Sequence, residues 1–248
     1  MFNPRNNGPF GRNRGFGNSP YQYQQYQSTP YSEVQTSSLI GKVMGLLAFS
    51  FLFACAGTFI GLFVVQSLAV YWIIALAGLA VLFILNFTIQ VQGLNLFLLY
   101  LFTFLEGMSL SPLIGYYLAS GSNILGEAFL ITAITTFGLA AYAWTTKRDF
   151  TRLADYLFFG VLLLLVVGVI GIFFGGLFNS GLFGLIIAFF GVAIFSGYVL
   201  VHVQRAKYMP DTLPNAIGLT VSIFITVLNL FLYILQILSI LQGGNRRR

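Results

Sequence analysis

The chain is a series of long, almost uninterrupted apolar runs separated by short polar or glycine-containing breaks. Seven runs reach the roughly 20 apolar residues that a bilayer core demands. They are Lys42 to Gln66, Leu68 to Gln90, Leu94 to Tyr117, Ile124 to Thr145, Leu153 to Phe178, Gly181 to Val203 and Leu213 to Leu241. Lipid offers no partners to backbone N–H and C=O groups, so such runs must form helices or a closed barrel. Their unbroken apolarity excludes the alternation of a barrel. The pattern predicts an all-α, polytopic bundle of seven transmembrane helices over residues 38–243. The breaks at Gln90 to Gln92, Ala119 to Asn123 and Asn179 to Gly181 permit only tight turns, so the helices they join are expected to pack antiparallel as neighbours. The division at Gln66 and Ser67 carries the least punctuation.

Composition agrees with this reading. The 248 residues are 58% hydrophobic and 7% charged, against about a quarter charged in soluble domains. Glu106 and Glu127 are the only formal charges between Lys42 and Lys147, and neither Tyr156 to Val201 nor Thr212 to Asn245 carries any. Residues 1–37 are rich in Asn, Gly, Gln, Tyr, Pro and Arg without an apolar period, which reads as a disordered tail; residues 244–248 form a short basic tail. The net charge of +6 is confined to tails and loops, so lipid headgroups rather than nucleic acid are the expected partner. Placing the N-terminus in the cytoplasm puts the first tail, the loop with Lys147, Arg148 and Arg152, and the loop with Arg205 and Lys207 on that side. Only Arg246 to Arg248 dissent, because a seventh crossing would carry them outside.

Small residues recur four apart at Gly41 and Gly45, Gly57 and Gly61, and Gly171 and Gly175. Such pairs let helix backbones approach closely, and internal packing of a monomer or weak oligomer is the expected use. Catalysis is not expected. One cysteine, Cys55, and one histidine, His202, furnish no usual metal site or disulfide. Asp149, Asp155 and Asp211 lie in or beside loops, away from any intramembrane protease geometry, and no phosphate-binding glycine loop is present. No cofactor is implied.

The candidate chemistry is a small set of polar groups within the spans. Glu106, near the middle of the third run, is costly in hydrocarbon unless paired, hydrated or protonated, which makes it the first candidate for sensing a proton or binding a cation. Thr103 and Ser109 lie three residues to either side of it, and Pro112 interrupts the helical ladder beyond. In the last run Ser222, Thr226, Asn229, Tyr233 and Gln236 follow at spacings of four, three, four and three, one helix face throughout. That stripe either lines a hydrated path or bonds to other helices. His202, near the end of the sixth run, is the second candidate for a switch.

The run Glu106-Gly107-Met108-Ser109-Leu110-Ser111-Pro112-Leu113-Ile114-Gly115-Tyr116 resembles the third-helix signature of the Bax inhibitor-1 family. Phe137-Gly138, Tyr142 and Thr145-Thr146-Lys147-Arg148-Asp149-Phe150 are similar to its fourth helix and following loop. Ser196-Gly197-Tyr198-Val199-Leu200 resembles its sixth helix. Asn229-Leu230-Phe231 and Leu235-Gln236-Ile237-Leu238 resemble its last, especially in the bacterial YccA-like branch. The resemblance implies seven helices, two three-helix layers around the last one, in a bacterial cytoplasmic membrane. It also implies a cation leak involving calcium or protons, a stress role, and, for YccA-like relatives, modulation of a membrane-bound AAA protease. Some relatives gate the leak with two aspartates sharing a proton; those positions fall on His202 and Thr226 here, so the carboxylate pair is missing.

Overall fold

The computed structural model describes residues 33–121, 123–173 and 181–245. Within them the chain forms α1 (Glu33–Val64), α2 (Leu68–Thr88), α3 (Leu94–Ala119), α4 (Ile124–Thr145), α5 (Leu153–Phe173), α6 (Gly181–Tyr208) and α7 (Leu213–Asn245). All seven are long and apolar enough to cross a membrane. The sparsely marked division at Gln66 and Ser67 is a real helix break. Ser67 leaves the helical region with φ −137° and ψ 155°, and its hydroxyl accepts from the Val70 N–H at 3.3 Å, which satisfies one of the free donors at a helix start. The next turn is made by Gly93, whose φ of +83° a side chain would resist. α1 begins nine residues before the apolar run, so residues 33–37, expected in the disordered tail, are helical, and α6 runs five residues past Val203, because backbone hydrogen bonding continues where bilayer burial ends. Residues 1–32 of the first tail, Gly175, the end of the fifth run at Phe178, the turn at Asn179 and the Arg246 to Arg248 tail lie outside the described residues.

The layers form around α7. α1 packs on α3 and α7, α2 on α3, and on the other side α4 and α5 pack on α6. From Leu213 to Ile240 no α7 residue is exposed. Its N-terminal part meets Leu39 and Val43 of α1 through Ala216 and Leu219. Phe224 packs between Ala54 and Phe102, and Leu230 meets Ala128 and Phe195. The two three-helix layers implied by the resemblance are therefore present.

The three expectations about neighbours divide. α2 and α3 pack together, as do α5 and α6, whereas α3 and α4 scarcely touch despite their short connection. Close approach is decided by small residues rather than by turn length. A Cβ at Gly57 would lie 2.1 Å from the Phe104 carbonyl oxygen, one at Gly61 2.5 Å from Ser111 Oγ, and one at Gly107 2.0 Å from the Ala54 oxygen. α3 is thus drawn onto α1, in parallel, and away from α4. Thr58 reinforces the seam: its hydroxyl lies 2.9 Å from both its own-helix Ala54 oxygen and the Gly107 oxygen across the interface. Gly41 and Gly45 serve no such contact, with open space where a Cβ would sit.

Candidate functional site

Glu106 sits half-buried on the side of α3 that faces α2. A Cβ at Gly78 of α2 would lie 3.9 Å from its Oε1, so the carboxyl occupies space that the glycine leaves free. Among the described residues no side chain donates to it and no cation pairs with it. Its polar neighbours on α3 look after their own helix: Thr103 is fully buried and donates to the Tyr100 oxygen at 3.1 Å, and Ser109 donates to the Glu106 backbone oxygen at 2.8 Å. Pro112 deprives the Met108 carbonyl of its usual donor four residues on. The Ser111 hydroxyl takes that place at 2.7 Å, so the proline leaves no bare carbonyl at that position.

The α7 stripe is enclosed rather than exposed, and most of it is satisfied internally. Ser222 donates to the Gly218 oxygen at 2.9 Å, Thr226 to Ser222 at 2.7 Å, and the Asn229 amide to Ile225 at 2.8 Å. These are bonds back along the same helix, not bridges to other helices. Tyr233 instead fills the notch at Gly191 of α6 and stacks on Phe195, centroids 5.8 Å apart. Gln236 lines a cavity of about 360 Å³ with Leu113, Tyr117, Gly184 and Ser239 between α3, α6 and α7.

His202 is buried on α6, stacked on Tyr198 at 5.5 Å, and its Nδ1 has no hydrogen-bond partner among the described residues. Glu106 belongs to the α2–α3 pair and His202 to α6, so the two leading candidates stand in different layers. Among the described residues no group of three or more His, Cys, Asp or Glu is placed to hold a metal ion.

A family model described as inhibitor of apoptosis-promoting Bax1 matches residues 36–243. The chain belongs to the Bax inhibitor-1 family. An uncharacterized protein of Helicobacter pylori is 33% identical over 211 residues, covering 84% of this chain and 89% of its own length. Protein lifeguard 4 of Mus musculus is 30% identical over 179 residues, 71% of each chain. The Golgi anti-apoptotic protein of vaccinia virus is 27% identical over 212 residues, 82% of this chain and 85% of that one. Bacterial relatives at this level of identity place this Bax inhibitor-1 protein with the bacterial branch.

Around its loops this Bax inhibitor-1 chain carries a set of ties that periodicity did not reveal. Gln204 of α6 accepts from the Phe150 N–H at 2.6 Å and donates to the Arg148 oxygen at 2.5 Å, holding the α4–α5 loop from both sides. Lys207 caps the end of α4 at the Ala143 and Trp144 oxygens and stands 5.1 Å from the Trp144 ring centroid, as suits a cation at a helix C-terminus. Lys42 of α1 pairs with Asp211 of the α6–α7 loop at 2.9 Å. The hydrogen bond from Lys42, and then one from Ser38, hold the Asp211 carboxyl below its ordinary range. Asp149 is likewise held low by hydrogen bonds from the Thr151 hydroxyl and N–H. At the opposite end Gln242 donates to Glu127 at 2.9 Å, joining α7 to the start of α4. Only the basic residues of this set carried a signal in sequence, as orientation markers.

Proposed function

We propose that this Bax inhibitor-1 family protein is a non-enzymatic leak for cations or protons in the bacterial cytoplasmic membrane, N-terminus inside. Glu106 is the group that binds or senses the ion. The observation that supports the reading is a carboxyl within a membrane span that has no counter-charge and no hydrogen-bond donor among the described residues. A carboxyl kept for packing alone would be expected to bond to a neighbouring helix. The α7 stripe contributes oxygen lone pairs and amides in the core of the bundle, and the cavity at Gln236 gives it an opening.

A second reading is a non-conducting regulator that docks membrane partners, among them a membrane-bound AAA protease. It is favoured by the inward satisfaction of α7, whose Ser222, Thr226 and Asn229 donors all return to their own helix and leave no continuous row of free donors. Vesicles containing the purified protein separate the two readings. Calcium or proton flux above empty vesicles that falls in Glu106→Gln supports the leak. Flux equal to empty vesicles, together with a co-purifying protease, supports the regulator.

A further inference from the structure

The seam between α6 and α7 changes character along its length. Gly184, Ala188 and Gly191 follow one another at spacings of four and three on one face of α6. At Gly191 the space beside the glycine is taken. A Cβ there would lie 2.5 Å from both Cδ1 and Cδ2 of Tyr233, whose ring also stacks on Phe195 with centroids 5.8 Å apart. At Gly184 the space is open: the cavity of about 360 Å³ lies there, bounded by Leu113 and Tyr117 of α3 and by Gln236, Ser239 and Ile240 of α7. One seam thus holds a cavity and, a turn deeper along α7, the aromatic ring that fills the next notch.

The α7 wall of this cavity is polar and unspent. Gln236 carries two amide donors and a carbonyl oxygen, and Ser239 a hydroxyl. Ser222 and Thr226 donate back to their own helix, but neither Gln236 nor Ser239 makes a hydrogen bond among the described residues. Nor are their polar atoms sealed inside the protein, so the cavity is open to them. Polar groups left without protein partners are served by water, and the cavity has room for several molecules. It also lies at the rim of the bundle. Ser239 is three residues from the end of the α7 span at Gln242, Tyr117 two from the end of α3 at Ala119, and Gly184 three from the start of α6 at Gly181.

We infer that the cavity is an aqueous recess at the C-terminal end of α7, and that Tyr233, seated against Gly191, is the plug that closes it off from Asn229 and Thr226. Those two residues precede Tyr233 by four and seven positions on the same α7 face, so the ring stands between them and the recess. A change of rotamer that lifts the ring from its notch would join the recess to the polar stripe. The recess takes water and small hydrated solutes in passage rather than a bound divalent cation, because calcium requires six to eight oxygens with carboxylates prominent among them and no carboxylate lines it among the described residues. The purpose of the plug rests on the leak reading; the recess and the plug are themselves measured without flux, so either account can fail alone.

Cys55 is the chain's single cysteine, so Cys55→Ser provides a background in which one thiol is introduced at a time. The full chain is reconstituted in vesicles with a charged, membrane-impermeant methanethiosulfonate reagent on both faces. Gln236→Cys and Ser239→Cys should label, and Asn229→Cys should stay protected. With Tyr233→Ala added, Asn229→Cys should label at a rate within several-fold of Gln236→Cys, whereas Tyr233→Phe keeps the ring and should leave it protected. Gly191→Ala supplies a second route that retains the tyrosine: its Cβ displaces the ring, and labelling of Asn229→Cys should rise several-fold. No labelling at Gln236→Cys and Ser239→Cys overturns the recess. The plug is overturned if Asn229→Cys labels as fast as Gln236→Cys with Tyr233 and Gly191 in place, or if it stays protected in folded Tyr233→Ala or Gly191→Ala protein.

Discussion

The seam between α1 and α3 gives the sharpest mechanical prediction. In Gly107→Ala the new Cβ would lie 2.0 Å from the Ala54 oxygen, 2.7 Å from its carbonyl carbon and 2.8 Å from its Cα. All three obstacles are backbone, so no side-chain rotation relieves them. Restoring an ordinary 3.4 Å contact requires the helices to part by about 1.4 Å. That separation also opens the contacts at Gly57 and Gly61 and stretches the Thr58 bond to the Gly107 oxygen. Overpacking costs about 1–3 kcal/mol, and an interhelical hydrogen bond in a membrane contributes about 0.6 kcal/mol on average. The expected loss is therefore about 2–4 kcal/mol. Thermal unfolding in detergent, followed by loss of the monodisperse peak, measures it. Gly45→Ala, where a Cβ meets open space, is the control and should be neutral. Equal melting temperatures for the two variants would refute the claim that glycine contact holds α1 to α3.

Thr58→Val keeps the shape and removes only the hydroxyl, so it should lower stability by about 0.6 kcal/mol, with about 1.7 as a ceiling; a loss as large as that of Gly107→Ala would mean that the hydroxyl, not the glycine contact, holds the seam. Gln204→Ala frees the Phe150 N–H and the Arg148 oxygen, so trypsin should cut after Lys147 or Arg148 several-fold faster while the melting temperature barely moves; an unchanged digestion rate would mean that the loop is held by something else. Asp211 is held below its ordinary value of 3.8 by Lys42 and Ser38, so its contribution is fully present above that value and is lost as pH falls through the lower folded value. Lys42→Met should therefore melt slightly below the native protein at neutral pH, and the gap should close on acidification below about pH 3.8. A gap that widens with acid would reverse the assigned sign.

The number, order and approximate limits of the helices were legible because burial in lipid leaves so few choices: a run such as Leu68 to Gln90 can only be a span. Partners were less legible. Periodicity states which residues share a face of one helix, but not which helix that face meets. Spacing puts the polar residues of α7 on one face, yet Ser222, Thr226 and Asn229 donate back to carbonyls of their own helix, a choice invisible in spacing. Spacing groups Glu106, Thr103 and Ser109 on α3, while the structure turns the carboxyl toward Gly78 and buries Thr103 completely. The α1–α3 seam was half visible, in the Gly57 and Gly61 spacing. Its other half, Gly107 with Thr58, required the backbones to be brought together. Gln204 gave no signal, because a glutamine near a helix end is ordinary until its two loop partners are known.

The leak reading stands on the carboxyl of Glu106 being a working group and not a packing element. Proton and calcium flux into vesicles of matched protein content, compared between native protein and Glu106→Gln variants of equal melting temperature, decides it. Flux above empty vesicles is expected for the native protein, with a clear fall in the variant. Equal flux in the two, or none in either, contradicts it.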